Sequence, residues 1–215
     1  DENIIHLYLR KYYNMSILLS AEDTQLVLVD YQDKLMPAIH QGDKVLANAL
    51  RLAKIAKLLN LPVFGTEQYP EKLGSNHAEL KTYCQKTLSK MHFGACDDGL
   101  IEILRAPPKP MGNARSLPKH IQRKQEGQEE RNTILIAGCE AHVCLLQTAL
   151  GLLEEEFDVW VVTDACSSRT ELNRDAAFDR LAGNGAELVT TEMVVFELLR
   201  TCEHPDFKAA LELIK

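Results

Sequence analysis

The sequence predicts an α/β fold, a three-layer sandwich with a mostly parallel, doubly wound sheet of roughly six strands. Two observations carry this prediction. Short uninterrupted runs of β-forming apolar residues recur along the chain, as in strands buried on both faces of a parallel sheet. Between them lie longer segments whose apolar residues recur at helical spacing. With 215 residues, 46% hydrophobic and 26% charged, the chain suffices for one large domain.

The first half of the chain supplies two strands and two helices. The run 25–30 predicts a buried first strand. The segment 39–60 predicts an amphipathic helix, because its apolar residues share one face. Pro62 stops that helix, and the apolar residues after it begin a second strand. The segment 96–105 predicts a short helix with acidic residues in its first turn.

The second half repeats the alternation of strand and helix. Strands are predicted at 132–138, 158–164 and 187–190, and helices at 143–156 and 171–182. In a doubly wound sheet, ligand sites lie outside the carboxyl ends of the strands. The intervening segment 106–131 is rich in proline and poor in apolar residues, which predicts a long loop.

Composition excludes several functional classes. A net charge of -7 would repel phosphate backbones and anionic lipids, so we expect neither nucleic acid nor membrane as a partner. Charged residues break every apolar run before the roughly 18–20 residues that a membrane helix needs. Six cysteines without paired CxxC spacing predict free thiols and a cytoplasmic location. Residues 1–14 lack a signal-peptide core, so we expect an N-terminal extension before a single domain at 15–215, with Met15 as the natural start.

Polar residues follow three of the predicted strands and should meet at one edge of the sheet. Asp30 ends the first strand, 66–68 follow the second, and 138–144 follow a third. Cys144 is the candidate nucleophile, because it starts a helix whose unpaired N–H groups lower the pKa of a thiol. Lys90 and Asp30 are the candidate cation and proton acceptor. A buried structural cysteine and a turn-capping aspartate fit the same positions equally well.

Five blocks resemble, in the same order, the isochorismatase-like cysteine hydrolase family, in its isochorismatase-domain-containing and YcaC-like branch. The blocks are LVLVDYQDKLMP, TEQYPEKLG, LSKMHFGAC, GCEAHVCLLQTALGLLEEEFDVWVVTDACSSR and HPDFKAALELIK. The resemblance extends from about Met15 to Lys215 and excludes 106–131, where this chain is longer than the family pattern. It implies a Rossmann-like sandwich and a homo-oligomer.

The resemblance also assigns roles to individual residues. It implies that Cys144 attacks a carbonyl or imine carbon, that Asp30 passes the thiol proton to the leaving amine, and that Lys90 keeps the site electropositive. It implies a cis peptide between Cys139 and Glu140, and an oxyanion hole formed by the backbone N–H groups of Glu140 and Cys144. Isochorismatases proper lack this cysteine, so Cys144 favours hydrolysis of C–N bonds.

Three further residues are candidates for the pocket wall: Gln68, His92 and His142. A packed or surface position is the more common one for a histidine such as His92. The resemblance implies that His142 is a pocket or subunit-interface residue. Nicotinamidase-type relatives add a metal site with an aspartate and two histidines after the first strand, whereas the stretch 30–69 offers only His40. We therefore expect no catalytic metal and no cofactor.

The resulting hypothesis is a cofactor-independent cysteine hydrolase that acts on a small amide-like C–N substrate. Its alternative is a binding or scaffolding module that keeps the fold without turnover, because a fold does not establish a function. Processing of nucleic acid through the basic residues of 106–131 is a third interpretation. It is disfavoured because that segment contains no aromatic residue for base stacking and the domain is acidic.

Overall fold

The computed structural model describes residues 18–106 and 131–215. The strands are β1 (Thr24–Val29), β2 (Val63–Gln68), β3 (Lys86–Lys90), β4 (Thr133–Gly138), β5 (Asp158–Val162) and β6 (Glu187–Val189). They form one six-stranded sheet in the order β3-β2-β1-β4-β5-β6, and every neighbouring pair is parallel. The predicted α/β fold is confirmed, with a sheet that is parallel throughout the described residues.

Helices connect the strands and cover the sheet. They are α1 (Gly42–Leu58), α2 (Pro70–Leu73), α3 (Ala78–Tyr83), α4 (Leu100–Leu104), α5 (Leu146–Glu154), α6 (Glu171–Gly183), α7 (Thr191–Leu199) and α8 (Phe207–Ile214). From β1 the chain winds outward through β2 to β3, then returns to the other side of β1 and winds outward from β4 to β6. The strand order therefore reverses between β1 and β4, which is where sheets of this class bind ligands.

The central strands and the first helix form because of the patterns seen in the sequence. Every residue of β1 and of β4 is buried, as expected for uninterrupted apolar runs at the centre of a parallel sheet. The helix α1 buries one face, which includes Val45, Ala49 and Leu52. The helix predicted at 143–156 starts differently, because a π-helical turn at Ala141–Leu145 precedes α5.

One strand escapes the sequence patterns. β3 lies at the edge of the sheet, where Lys86 and Ser89 are exposed, so it is not an apolar run. Edge strands commonly carry such polar residues, which discourage pairing with another chain. The predicted extension at 1–14 and nearly all of the predicted loop at 106–131 lie outside the described residues.

Gly138 brings the ends of β1 and β4 close together. It pairs with Val29, and a Cβ atom at position 138 would lie 2.3 Å from the Val29 carbonyl oxygen. Its φ of 155° is also a conformation that other residues rarely adopt. Glycine at this position therefore lets the segment after β4 start directly beside the segment after β1.

Candidate active site

The carboxyl ends of the strands bring the predicted catalytic residues to one place. Asp30 directly follows β1, Lys90 is the last residue of β3, and Cys144 lies in the π-helical turn after β4. The Nζ atom of Lys90 lies 2.8 Å from Oδ2 of Asp30, and both side chains are completely buried. The Cys144 thiol lies close enough to both for their charges to shift its pKa in opposite directions. The three residues thus form one cluster beneath the surface.

The strand β2 supports this cluster from between β1 and β3. The hydroxyl of Thr66 donates a hydrogen bond of 2.7 Å to Oδ1 of Asp30. Two residues later, Oε1 of Gln68 accepts a bond of 2.6 Å from Nζ of Lys90. Side chains two apart in a strand point to the same face, so Thr66 and Gln68 act on Asp30 and Lys90 from the same side of β2.

The ammonium group of Lys90 donates hydrogen bonds to three oxygen atoms and forms an ion pair with Asp30. It contacts Oδ2 of Asp30 at 2.8 Å, Oε1 of Gln68 at 2.6 Å and the carbonyl oxygen of Phe93 at 2.9 Å. The carbonyl oxygen of His92 is more distant, at 3.4 Å. A buried ammonium needs such a set of acceptors, because an unpaired charge in the interior is costly.

The pKa of the Cys144 thiol is raised to about 12, mainly by burial and then by the negative charge of Asp30. Lys90 acts in the opposite direction without overcoming these effects. The expectation that the start of a helix lowers this pKa is therefore wrong. The side chain is only 7% exposed, and loss of hydration outweighs the favourable field. The resting site holds a neutral thiol beside a carboxylate.

The segment that leads to Cys144 has an unusual backbone. The peptide bond between Cys139 and Glu140 is cis, in agreement with the family pattern. The carbonyl oxygen of Glu140 accepts a 3.2 Å hydrogen bond from the N–H of Leu145, which closes the π-helical turn. The Glu140 carboxylate accepts two bonds of 3.0 Å from Arg169, through its backbone N–H and its Nε. The turn that carries Cys144 is thus held from outside the site.

The three candidates for the pocket wall occupy different surroundings. Gln68 binds Lys90, and its Nε2 donates to the carbonyl oxygen of Met91 at 2.9 Å. The imidazole of His92 is 64% exposed and binds Asp98, whose hydrogen bond raises the pKa of this histidine. The Nδ1 atom of His142 lies 2.9 Å from the hydroxyl of Ser168. Of these side chains, that of Gln68 binds a member of the cluster.

Sequence reasoning missed the residues that support the cluster. Gln32 is buried and pairs with Gln68, since Oε1 accepts the Gln68 N–H at 2.8 Å and Nε2 donates to its carbonyl oxygen at 2.9 Å. Phe93 contributes only its backbone carbonyl, which no side-chain pattern reveals. Two signals for these supporting residues were available in the sequence. One is the polar residue Gln32 two positions after Asp30, and the other is the spacing of Thr66 and Gln68 within one strand.

Within residues 18–106 and 131–215, no group of at least three histidine, cysteine, aspartate or glutamate side chains is arranged to hold a metal ion. No helix in these ranges combines the length and the apolar character needed to cross a membrane.

Comparisons with known proteins agree with this architecture. Isochorismatase domain-containing protein 2A of Mus musculus is 34% identical over 194 residues, which cover 90% of this chain and 84% of that protein. The structure of the MAR1 ribonuclease from Caenorhabditis elegans is 28% identical, with a TM-score of 0.73 and 92% of each chain covered. The YcaC gene product of Escherichia coli, described as an octameric hydrolase of unknown specificity, is 27% identical, with a TM-score of 0.74 and coverage of 94% of this chain and 91% of that one. Residues 24–193 match the model of the isochorismatase domain, and the chain therefore belongs to the isochorismatase family of hydrolases.

Proposed function

We propose that this protein hydrolyses a small amide-like C–N bond through Cys144, without a cofactor. The main support is the fully buried ion pair of Asp30 and Lys90, whose two charges both act on the Cys144 thiol. A buried carboxylate beside a neutral thiol is suited to accept its proton. A nucleophile that is only 7% exposed suits a small substrate.

The proposed reaction begins when the Cys144 sulfur attacks the carbonyl carbon and its proton moves to Asp30. The tetrahedral intermediate collapses as the C–N bond breaks, and Asp30 gives the proton to the leaving amine. Water then adds to the thioester and loses a proton to Asp30. The C–S bond breaks and the thiol regains that proton, so the products are a carboxylic acid and an amine.

Two further groups assist these steps in the proposed mechanism. Lys90 keeps its positive charge and offsets the negative charge that moves between sulfur and Asp30. The backbone N–H groups of Glu140 and Cys144 stabilise the oxyanion of both tetrahedral intermediates, where the loss of one donor typically costs on the order of 10²–10³ in rate. Gln68 holds Lys90 rather than the substrate, because its Oε1 is already bound to Nζ.

The test is the reaction of the full chain with p-nitrophenyl acetate, an activated acyl donor. We expect a burst of one p-nitrophenol per active site, and a single acetyl group on Cys144 by mass spectrometry. Cys144→Ala should abolish the burst, whereas Cys202→Ala should keep it because Cys202 is an exposed cysteine outside the cluster. Hydrolysis of small primary amides then identifies the C–N substrate. Equal acylation of wild type and Cys144→Ala would overturn the proposal.

The same measurements address the alternatives. A binding or scaffolding module of this fold would show neither the burst nor turnover of any amide. The relative described as a ribonuclease suggests RNA cleavage as an alternative activity. A net charge of -7 and a buried thiol instead favour a small uncharged carbonyl compound over a polyanion as the substrate. RNA cleavage that persists in Cys144→Ala would favour the ribonuclease instead.

We also propose that the protein forms a homo-oligomer. The family resemblance and the octameric YcaC relative support this. Large apolar side chains are also exposed, including Met91 (62%), Phe93 (54%) and Leu172 (80%), and such surfaces are typical of interfaces when they lie together. Light scattering should give a multiple of the mass of one chain, and a mass equal to one chain would contradict the proposal.

A further inference from the structure

Thr66 is a buried polar residue whose hydroxyl is aimed at the candidate base. Its side chain is completely buried, and it donates to Oδ1 of Asp30 at 2.7 Å. Its backbone carbonyl accepts bonds from the N–H of Asp30 at 3.2 Å and from Nδ2 of Asn76 at 2.9 Å. Thr66 is therefore fixed on both its main chain and its side chain.

This hydrogen bond makes the two oxygen atoms of Asp30 different. Oδ1 is occupied by the Thr66 hydroxyl, whereas Oδ2 lies 2.8 Å from the Lys90 ammonium. No hydroxyl or backbone donor reaches Oδ2 from within the described residues. Oδ2 is thus the Asp30 oxygen that accepts no hydrogen bond from the described residues.

We infer that Thr66 is a positioning residue that aims Oδ2 of Asp30 at the Cys144 thiol, so that this oxygen alone takes the proton. The inference rests on the proposed function and deepens it. Rotation of the carboxylate about its terminal torsion would exchange the two oxygens, and such torsions are broad and roughly two-fold. A hydrogen bond on Oδ1 prevents this rotation without adding a charge.

The residue type suits this role. Threonine is β-branched and holds a narrow range of χ1, so its hydroxyl keeps one direction. Its second branch is a methyl group, which packs without needing a partner. Glu67, on the opposite face of β2, does not share the task, because it accepts a bond from the N–H of Asn76 at 2.9 Å and pairs with Lys81 at 2.9 Å.

The experiment measures the rate at which iodoacetamide alkylates Cys144 in the full chain, by mass spectrometry at neutral pH. Thr66→Val keeps the shape and removes the hydroxyl. We expect alkylation of Cys144 to slow about tenfold, the effect of losing one hydrogen bond to a charged group. Thr66→Ser restores the hydroxyl and should keep the rate within about twofold of wild type.

A matched control comes from the opposite end of the sheet. The Thr133 hydroxyl also binds an aspartate, Asp23, so Thr133→Val removes the same kind of bond away from the cluster. We expect iodoacetamide to alkylate Cys144 of the Thr133→Val variant at the wild-type rate. Should Thr66→Val react as fast as wild type or faster, the inference is overturned.

The two proposals can fail separately. If wild type shows no burst with p-nitrophenyl acetate while alkylation still depends on Thr66, the hydrolase proposal fails and the positioning of Asp30 stands. If the burst occurs and Thr66→Val leaves both rates unchanged, the hydrolase proposal stands and the role of Thr66 fails. If the Thr66→Val variant does not fold, the Thr66→Ser variant decides. A Cys144 alkylation rate in Thr66→Ser that differs from the wild-type rate would contradict the inference.

Discussion

At the scale of single residues, the site combines a charge pair with a neutral thiol. Lys90 and Asp30 are fully buried and neutralise each other, and the pKa of the Cys144 thiol beside them is raised to about 12. In the proposed mechanism, activation of this sulfur therefore depends on a proton acceptor at the moment of attack rather than on a stored thiolate.

This state can be checked by ultraviolet difference spectroscopy. Wild type minus Cys144→Ala should show no thiolate absorbance near neutral pH, because burial and Asp30 hold the pKa of Cys144 at about 12. Lys90→Met should move thiolate formation to still higher pH, since Lys90 is the group that lowers this pKa. A thiolate signal of one equivalent at neutral pH would contradict the prediction.

The supporting residues matter as much as the pair they hold. Gln68→Leu removes the acceptor 2.6 Å from Nζ of Lys90 and leaves a buried ammonium with one partner fewer. We expect a loss of about 1–3 kcal/mol in the free energy of unfolding, measured with urea. Gln85→Leu, which changes the same residue type at an exposed position, should cost less than about 0.5 kcal/mol. Equal losses in the two variants would contradict the role of Gln68.

At the scale of elements, the close approach of β1 and β4 depends on Gly138. A Cβ there would meet the Val29 carbonyl oxygen at 2.3 Å, which is main chain and has little room to move. Gly138→Ala should lower the free energy of unfolding by about 1–3 kcal/mol or more, as overpacking does. Gly183→Ala is the matched control, because nothing lies within 4 Å of a Cβ at that helical position. It should be neutral or slightly stabilising in the same denaturation experiment.

The elements also mark where sequence reasoning succeeds. The buried runs that become β1, β4 and β5 were predicted, because full burial in a parallel sheet demands uninterrupted apolar residues. The edge strand β3 was not, since an exposed edge leaves no periodic apolar signal. The proximity of Asp30, Lys90 and Cys144 followed from strand ends and family resemblance. The raised pKa of Cys144 did not, because burial and the charge of Asp30 are products of packing between distant segments.

At the scale of the whole molecule, buried thiols make stability depend on alkaline pH. Burial raises the pKa of Cys139 to about 12, of Cys144 to about 12, and of Cys166 well above its ordinary value. In the unfolded chain these thiols ionise near pH 8.5. Above that pH the folded state binds more protons than the unfolded state, so stability is complete below about pH 8.5 and falls as the pH rises toward 12.

Above about pH 8.5, the free energy of unfolding should fall by up to about 1.4 kcal/mol per pH unit for each of these thiols. Urea denaturation at pH values from about 8 to 10.5 measures it. Cys139→Ala should reduce the slope by the share of one thiol, whereas Cys202→Ala should leave it unchanged because Cys202 is exposed. A free energy of unfolding that stays constant over this range would contradict the prediction.

The reversal of strand order between β1 and β4 has a consequence for folding. The cluster joins residues from position 30 to position 144, and each is delivered by a different strand, so no local segment contains a working part of it. Contacts of such long sequence separation form late, after the entropy of closing large loops has been overcome. Chemistry at Cys144 would therefore report that β3, β2, β1 and β4 have docked in order. In a refolding experiment, the first appearance of the acylation burst would time the docking of these four of the six strands.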